Sequence, residues 1–254
     1  MQQKKKISVE VYFTPAILEE MQLKDKNIVV IDVLRASTTI AAALKNGAKE
    51  IIPVNNIESA VKLSGSMFGD VTLRAGERNA KMIEGFNLGN SPREYTEEIV
   101  KGKSIILMTT NGSAAMVKGR HAKNLVIGAF VNLSSVVEFL HELGENFLII
   151  CAGKENDFCM EDAVCAGRII NKLEKTNDVE IVPDDSAKAA AALDSVFGKS
   201  ILKMLKTSEH GMYLAEAGFA DDLKACGEID SIDVLPILSG SVIRARKESS
   251  KPVV

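Results

Sequence analysis

The sequence predicts an α/β fold in which helices cover both faces of a largely parallel or mixed β-sheet. Apolar runs of strand length recur along the chain, and several lack polar–apolar alternation, which is typical of strands buried on both faces. Helix patterns lie between these runs, as expected where helices join parallel strands. With 46% hydrophobic residues, the 254-residue chain can also build a substantial core.

The predicted strands form an early series and a late pair. The early series comprises residues 7–13, 28–33, 50–54, 71–75, 104–109, 125–129 and 146–151. The late pair comprises residues 233–238 and 241–245, which we expect as edge strands. Pro236 favours this position for the first of them, because proline has no N–H to donate to a neighbouring strand.

Capping residues mark several predicted helices. Residues 91–94 (SPRE) match a capping box with proline at the first helical position and predict a helix through Val100. Further helices are predicted over about 160–174 and 186–197, the second with Asp185 as its N-cap. The polar segment 175–185 between them is the one candidate boundary. The chain is therefore either a single α/β catalytic domain or two lobes with a seam near 175–185.

Composition excludes several classes of function. The 31 basic residues against 34 acidic ones, and the absence of tryptophan, give no indication of nucleic-acid binding. No apolar run of membrane-spanning length and no signal peptide is apparent, so we expect a cytoplasmic protein that does not bind membranes. Four cysteines without paired C-x-x-C spacing are expected to be reduced core residues: Cys151, Cys159, Cys165 and Cys226.

Three segments share a scheme of apolar strand, polar loop and small-residue helix. They begin with "IVVIDVLRAS", "SIILMTTNGS" and "NFLIICAGKEND". Ligands of open α/β sheets bind beyond the carboxyl ends of the strands, so we expect the three loops to meet there. Each following helix offers free N–H groups that favour an anion, and Gly112 would allow close backbone approach to a phosphate. The simpler interpretation of the second loop alone is a strand-to-helix turn.

Charged residues crowd the segment from residue 74 to residue 92, which is long for a plain connection. Arg74 and Arg78 are suited to bidentate capture of a phosphate, carboxylate or sulfonate. Glu77 and Glu84 lie in the same segment. The alternative is a surface ion network among these four residues.

Acidic residues follow two of the predicted strands. Asp32 ends the strand at 28–33, and Glu161 and Asp162 begin the helix of the third segment. Acidic pairs are common at helix N-termini because the helix dipole favours them. If they share one crevice with cationic residues, however, their oxygens would hold Mg²⁺ beside an anionic substrate.

Two other groups of titratable residues have more than one interpretation. His210 lies at a predicted helix start and is either a proton donor or a capping or packing residue, whereas His121 and His141 are expected to face solvent. Asp221 and Asp222 are either a further ligand pair or, more simply, part of a solvated turn.

Aspartate at a strand end also invites comparison with haloacid-dehalogenase-type phosphatases. Their D-x-D-x-T motif supplies a nucleophilic aspartate and an acid two residues later. Here Leu34 occupies the position of the second aspartate, so the pattern is incomplete.

A fuller resemblance spans nearly the whole chain. The segments "VVIDVLRASTTIAAALKNGA", "AGERNAKMIEGFNLGNSP", "TTNGS", "CAGKENDFCMEDAVCAG" and "SEHG" resemble the successive motifs of the 2-phosphosulfolactate phosphatase family. The resemblance implies a three-layer α/β/α fold distinct from the dehalogenase fold. It also implies a Mg²⁺-dependent phosphatase that converts 2-phosphosulfolactate to sulfolactate, a step of coenzyme M biosynthesis.

This resemblance and the residue inventory together give a mechanistic hypothesis. Asp32, Glu161 and Asp162 would hold Mg²⁺, which activates a water for in-line attack on phosphorus. Glu77 or Glu84 would orient that water, and His210 would protonate the departing alkoxide. The substrate's anionic groups would be bound by cationic residues and loop groups: Arg35, Ser37, Thr38, Arg74, Arg78, Asn111, Gly112, Ser113 and Lys154.

Two alternatives stay open at this point. In the first, Asp32 is a covalent nucleophile, as in the dehalogenase-type enzymes. In the second, the cradle is a non-catalytic binding site for small organic anions. A homodimer is expected only because such assemblies are common among soluble enzymes.

Overall fold

The computed structural model describes residues 4–66, 71–176 and 178–246 and confirms the predicted α/β class. The strands are β1 (Lys5–Tyr12), β2 (Asn27–Ile31), β3 (Glu50–Pro53), β4 (Thr72–Arg78), β5 (Lys81–Met82), β6 (Ser104–Met108), β7 (Asn124–Gly128), β8 (Phe147–Cys151), β9 (Val179–Pro183), β10 (Pro236–Ser239) and β11 (Val242–Ala245). The helices are α1 (Glu20–Leu23), α2 (Ala36–Lys45), α3 (Ile57–Ser66), α4 (Glu97–Val100), α5 (Gly112–Lys118), α6 (Leu133–Leu143), α7 (Met160–Glu174), α8 (Asp185–Phe197), α9 (Ile201–Thr207), α10 (Glu209–Leu214) and α11 (Ala220–Gly227).

One mixed sheet organises the described residues, in the strand order β5-β4-β6-β3-β11-β10-β7-β2-β8-β1-β9. Strands β4, β6 and β3 form one parallel block. Strands β7, β2, β8, β1 and β9 form a second parallel block. The candidate seam 175–185 contains β9 at the edge of the second block, and Asn177 within it lies outside the described residues.

Alternate residues of the central strand β2 enter two different apolar cores. Val29 and Ile31 belong to a core on one face of the sheet, where α6, α7 and α8 pack. Ile28 and Val30 belong to a second core, which includes residues of α2 and α5. Because strand side chains alternate between the faces, burial on both sides explains why residues 28–31 of this strand are all apolar. This is the arrangement of a three-layer α/β/α fold.

The late strands β10 and β11 lie in the middle of the sheet, so the expected edge position is wrong. They form an antiparallel hairpin, with β10 beside β7 and β11 beside β3. Pro236 is tolerated because it is the first residue of β10, where a missing N–H costs little. The hairpin therefore joins the two parallel blocks.

The segment after residue 74 is more regular than predicted. Strand β4 continues to Arg78 and turns back antiparallel into β5. The helix predicted from residue 91 through Val100 is also wrong in part, since a 3₁₀ turn at Pro92–Glu94 is followed by the separate one-turn α4. Ser91 does not cap this turn, because its hydroxyl donates to Asp222 Oδ1 at 2.7 Å. The predicted cap of α8 is likewise displaced by one residue, from Asp185 to Asp184.

The loops after β2, β6 and β8 meet, as the three similar segments predict. The amide N–H groups of Val33 and Gly153, which follow β2 and β8, both donate to the carboxylate of Asp162. Asn111 Oδ1, after β6, accepts a hydrogen bond from the N–H of Glu155 at 2.9 Å. The Asn111–Glu155 contact joins the two parallel blocks, whose strands run in opposite directions on either side of the hairpin.

Among the described residues, no helix combines the length and the apolar composition that crossing a lipid bilayer requires.

Candidate active site

A pocket lies where these three loops meet the end of β4. Its wall includes the side chains of Asp32, Arg35, Glu77, Asn90, Thr109, Asn111, Lys154, His210 and Tyr213. A second pocket, lined by Cys159, Glu161 and His210 among others, lies on the other side of His210 and shares Lys154 with the first. His210 is thus a common wall of the two pockets.

Asp32 is buried at the turn from β2 into α2. Its Oδ1 accepts the Ala36 N–H at 3.1 Å, and its own N–H donates to Ser37 Oγ at 2.9 Å. Burial raises the pKa of Asp32 to about 6, and the carboxylates of Glu77 and Glu161 act in the same direction. The charge of His210 and the hydrogen bond from Ala36 lower this pKa but do not outweigh burial.

Ser37 and Thr38 belong to this turn. The Ser37 hydroxyl accepts from Asp32, and the Thr38 hydroxyl donates to the carbonyl of Val33 at 2.9 Å. Both side chains are buried, and neither lines the pocket. The structure does not place them as phosphate ligands, because their polar atoms order the strand-to-helix turn.

Gly112 makes room for a carboxylate. A β-carbon at this position would lie 2.5 Å from Asp32 Oδ2 and 2.8 Å from the β-carbon of Ala36. The glycine predicted to let a phosphate approach instead lets α5 pack against Asp32. Ser113 is buried and exchanges hydrogen bonds with Thr109, so of the three predicted loop residues only Asn111 lines the pocket.

Glu77 points into the pocket from the end of β4. Its two oxygens accept the N–H groups of Thr110 at 2.8 Å and Ala80 at 3.0 Å, which fix the orientation of the carboxylate. Glu84, the other predicted water-orienting residue, is exposed and does not line the pocket.

Glu161 and Asp162 occupy the first turn of α7 and are both buried. The two oxygens of Asp162 accept the N–H groups of Val33 at 2.8 Å and Gly153 at 3.2 Å. Burial raises the pKa of Asp162, and the neighbouring carboxylates Glu161 and Asp32 raise it further. The three predicted metal ligands therefore lie close enough for their charges to affect one another.

His210 is the second residue of α10, whose start is capped by Ser208. The Nδ1 atom of its ring lies 2.9 Å from Glu161 Oε1 and 3.9 Å from Cys159 Sγ. All four cysteines are free and buried, as predicted, but Cys159 also contacts a histidine, which its sequence spacing did not indicate.

Arg35 is a buried structural cation. Its NH1 donates to Asp222 Oδ2 at 2.8 Å, its NH2 donates to the carbonyl of Ala80, and the guanidinium lies 4.1 Å from the ring centroid of Phe219. Asp222 is therefore neither a metal ligand nor part of a solvated turn, although the neighbouring Asp221 is exposed. Arg35 reaches the pocket wall with much of its hydrogen-bonding capacity already used.

Arg74 and Arg78 do not reach the pocket. Both lie on β4 an odd number of residues from Glu77, and strand alternation directs them to the opposite face. Arg74 lies over the ring of Phe86, and Arg78 is exposed. Lys154 is the remaining predicted cation at the pocket, with its Nζ atom 4.4 Å from the ring centroid of Tyr213.

The carboxylate oxygens at this site are of the chemical type that a hard divalent cation prefers. Asp32, Glu161 and Asp162 supply carboxylate oxygens, the ligands that Mg²⁺ prefers. Glu161 Oε2 is buried and has no hydrogen-bond partner among the described residues. An unpaired buried carboxylate oxygen beside two further acids is costly without a compensating cation. The chemistry of these donor atoms fits a divalent metal, but the three acids are not among the groups of described residues whose ligand atoms lie within 4.8 Å of one another.

Comparison with known proteins gives a consistent result. Residues 12–241 match the model of the family described as 2-phosphosulpholactate phosphatase. A probable 2-phosphosulfolactate phosphatase of Caldanaerobacter subterraneus subsp. tengcongensis is 40% identical over 240 residues, covering 94% of this chain and 99% of that protein. Proteins with the same name from Clostridium novyi and Thermotoga maritima are 36% and 40% identical, covering 91% and 85% of this chain and 96% and 91% of their own lengths.

Proposed function

The chain belongs to the 2-phosphosulfolactate phosphatase family, and from that premise we propose that it hydrolyses the phosphate ester of a small anionic 2-hydroxy acid. The family's reaction makes it a phosphoric monoester hydrolase, and 2-phosphosulfolactate is the substrate that the relatives' names favour. One observation carries the proposal. The buried acids Asp32 and Glu161 converge with Lys154 and His210 at the meeting point of the strand-end loops.

We infer that Mg²⁺ is the cofactor, held by Asp32 and Glu161 with Asp162 beside them. When bound, it would neutralise phosphoryl oxygens and lower the pKa of a water. Two observations support this assignment. Glu161 Oε2 has no hydrogen-bond partner among the described residues, and the pKa of Asp32 is raised, mainly by burial. Asp162 is expected mainly to orient the site, because both its oxygens accept backbone N–H groups.

The chain's own residues would bind and orient the substrate. Lys154 offers a cationic donor at the pocket wall, and Asn111 holds the loop after β6 against the loop after β8. Glu77 would orient the attacking water, because backbone hydrogen bonds already fix its carboxylate while each oxygen retains a free lone pair.

Hydrolysis breaks the ester bond between phosphorus and the oxygen of the hydroxy acid. The water oxygen forms the new bond to phosphorus, and the leaving alkoxide takes up a proton. His210 is the proposed source of that proton, since Nδ1 faces Glu161 while Nε2 has no hydrogen bond to the described residues. The Glu161 carboxylate would hold the ring in the required orientation.

The test is phosphate release from 2-phosphosulfolactate, phospholactate and phosphoglycolate, each with Mg²⁺ and with EDTA. We expect Mg²⁺-dependent release and a preference for 2-phosphosulfolactate. No release from any of the three esters would contradict the proposal and favour the non-catalytic anion-binding alternative. Rapid acid quench would detect an acyl phosphate on Asp32, and such an adduct would replace direct water attack with the covalent route.

A further inference from the structure

Three different metal-binding side chains face one another beside the active-site pocket. They are Cys159, Glu161 and His210, and one ligand atom from each lies within 4.8 Å of the other two. Cys159 and Glu161 flank the start of α7, and His210 reaches them from α10. All three line the second pocket, which opens to solvent beside Phe158 and Phe197 and would give an ion an entry path.

The distances suit a small tetrahedral ion. With bonds of about 2.3 Å to sulfur and about 2.0 Å to nitrogen or oxygen, the ligand atoms of a zinc site lie roughly 3.3–3.6 Å apart. Here Nδ1 of His210 lies 3.9 Å from Cys159 Sγ and 2.9 Å from Glu161 Oε1. Shifts of a few tenths of an ångström would bring both separations into that range.

The same residues do not form a nucleophilic triad. In such a triad the nucleophile and the orienting acid contact different nitrogens of the histidine ring. Here Cys159 and Glu161 both face Nδ1, so the ring cannot pass a proton between them. A single metal ion would bind all three side chains in this arrangement, because Nδ1, Sγ and a carboxylate oxygen all face the same region.

The local charge also favours a cation. Glu161 is buried, and its Oε2 atom has no hydrogen-bond partner among the described residues. The buried carboxylates of Glu161 and Asp162, in the first turn of α7, place negative charge beside Cys159. A divalent ion at this position would offset that negative potential, and the thiol proton would leave to solvent as the metal–sulfur bond forms.

We infer that Cys159, Glu161 and His210 form a binding site for a borderline-soft divalent cation of the Zn²⁺ class. This site is distinct from the Mg²⁺ site but shares Glu161 with it. An ion there would bind His210, the proposed proton donor to the leaving group. It would also bind Glu161, a carboxylate that the proposed Mg²⁺ site uses. Zn²⁺ therefore inhibits the enzyme in competition with Mg²⁺. The inhibition rests on the proposed function, whereas the binding site itself does not.

Cobalt spectroscopy tests the site without any enzymatic assay. Titration of the full chain with Co²⁺ is expected to produce a near-ultraviolet sulfur-to-metal charge-transfer band, which Zn²⁺ then abolishes by displacing the cobalt. Cys159→Ser should lose the band, and both Cys159→Ser and His210→Asn should weaken Zn²⁺ binding by at least about tenfold in competition with a chromogenic chelator. Cys226→Ala, at a buried cysteine that does not line the second pocket, is the matched control and should keep both signals.

The outcomes separate this inference from the proposed function. A charge-transfer band that disappears in Cys159→Ser supports the site, even if no ester is hydrolysed. Cobalt binding without the band in the wild-type chain, or unchanged Zn²⁺ affinity in either variant, overturns the site, even if the chain is an active phosphatase. Zn²⁺ inhibition that excess Mg²⁺ does not relieve would overturn the shared use of Glu161.

Discussion

The guanidinium of Arg35 and the carboxylate of Asp222 form an ion pair of 2.8 Å across 187 residues of sequence, and each side chain is only 2% exposed. The ion pair connects the start of α2, just after Asp32, with α11. Ser91 binds the second oxygen of the same carboxylate. This buried contact therefore holds Arg35, a residue of the pocket wall, in a fixed position.

Asp222→Asn is expected to destabilise the fold strongly. Removing one partner of a buried ion pair leaves the other charge uncompensated, which costs about 3–5 kcal/mol. The free energy of unfolding in urea measures this cost. Asp221→Asn is the matched control, because the Asp221–Arg93 pair is exposed and its loss should cost less than about 1 kcal/mol. Equal effects of the two variants would contradict the structural role of Asp222.

Asp32→Asn is expected to lower kcat by about two orders of magnitude or more, because the proposed metal site loses a charged oxygen ligand. Phosphate release under saturating Mg²⁺ measures the change. The fold should not suffer, since the substitution removes a carboxylate that burial disfavours. Glu84→Gln serves as the control at an exposed acid and should keep wild-type activity. An active Asp32→Asn enzyme would be incompatible with the proposed site.

His210→Asn should reduce turnover in a way that depends on the leaving group. A 2-hydroxy acid leaves as a basic alkoxide that needs a proton, and general-acid catalysis typically contributes about 10²–10⁴-fold. An aryl phosphate such as p-nitrophenyl phosphate leaves as a stable anion and should be much less affected. Comparing kcat for the two esters measures this difference. Equal losses on both would show that His210 is not the proton donor.

Lys154→Gln is expected to raise KM for the ester about tenfold, because the pocket loses a cationic donor at its wall. Steady-state kinetics with and without added phosphate as a competing ligand would measure the change. Arg78→Gln should leave KM unchanged, since Arg78 is exposed and lies outside the pocket. The reverse result would restore Arg78 as a substrate ligand.

Glu50→Gln should destabilise the junction of β3 with β11 in a pH-dependent way. Although burial acts in the opposite direction, hydrogen bonds from Ser104 and Arg244 lower the pKa of Glu50. An acid whose pKa falls on folding stabilises the fold above its unfolded pKa of about 4.3, and this contribution is lost as pH falls through the lower folded value.

The difference between wild type and Glu50→Gln in urea unfolding should therefore be largest near pH 7 and shrink below about pH 4. Because Arg244 is half exposed, we expect a difference of about 1 kcal/mol. Glu97→Gln, which removes an exposed pair with Lys101, should show a smaller change at every pH. A pH-independent difference would mean that the charge on Glu50 is unimportant.

Local sequence patterns predicted part of the fold and part of the candidate site. Fully apolar runs identified the buried strands, because a strand covered on both faces has no polar side. The same logic brought Asp32, Glu161 and Asp162 together, since each follows a strand of one parallel block. The family resemblance was also confirmed.

Strand register and contacts between residues distant in sequence could not be predicted from local sequence patterns. Arg74 was placed at the end of a predicted strand and Arg78 in the connection after it, and only the extension of β4 into the hairpin with β5 shows that alternation directs both away from the pocket. The partner of Arg35 lies on α11, and no local pattern encodes that distance. The proximity of Cys159 to His210 likewise depends on how α10 packs against α7.

The central hairpin of β10 and β11 determines when the two halves of the sheet can be joined during synthesis of the chain. The strands that join the two halves of the sheet follow both halves in sequence, and Arg244 comes 194 residues after its partner Glu50. Asp32 and Glu161 belong to one half, and Glu77 and Thr110 to the other. A nascent chain that ends before residue 236 would therefore carry every proposed catalytic residue and still lack the hairpin that joins the two halves, so these residues are aligned only after the hairpin has been synthesised.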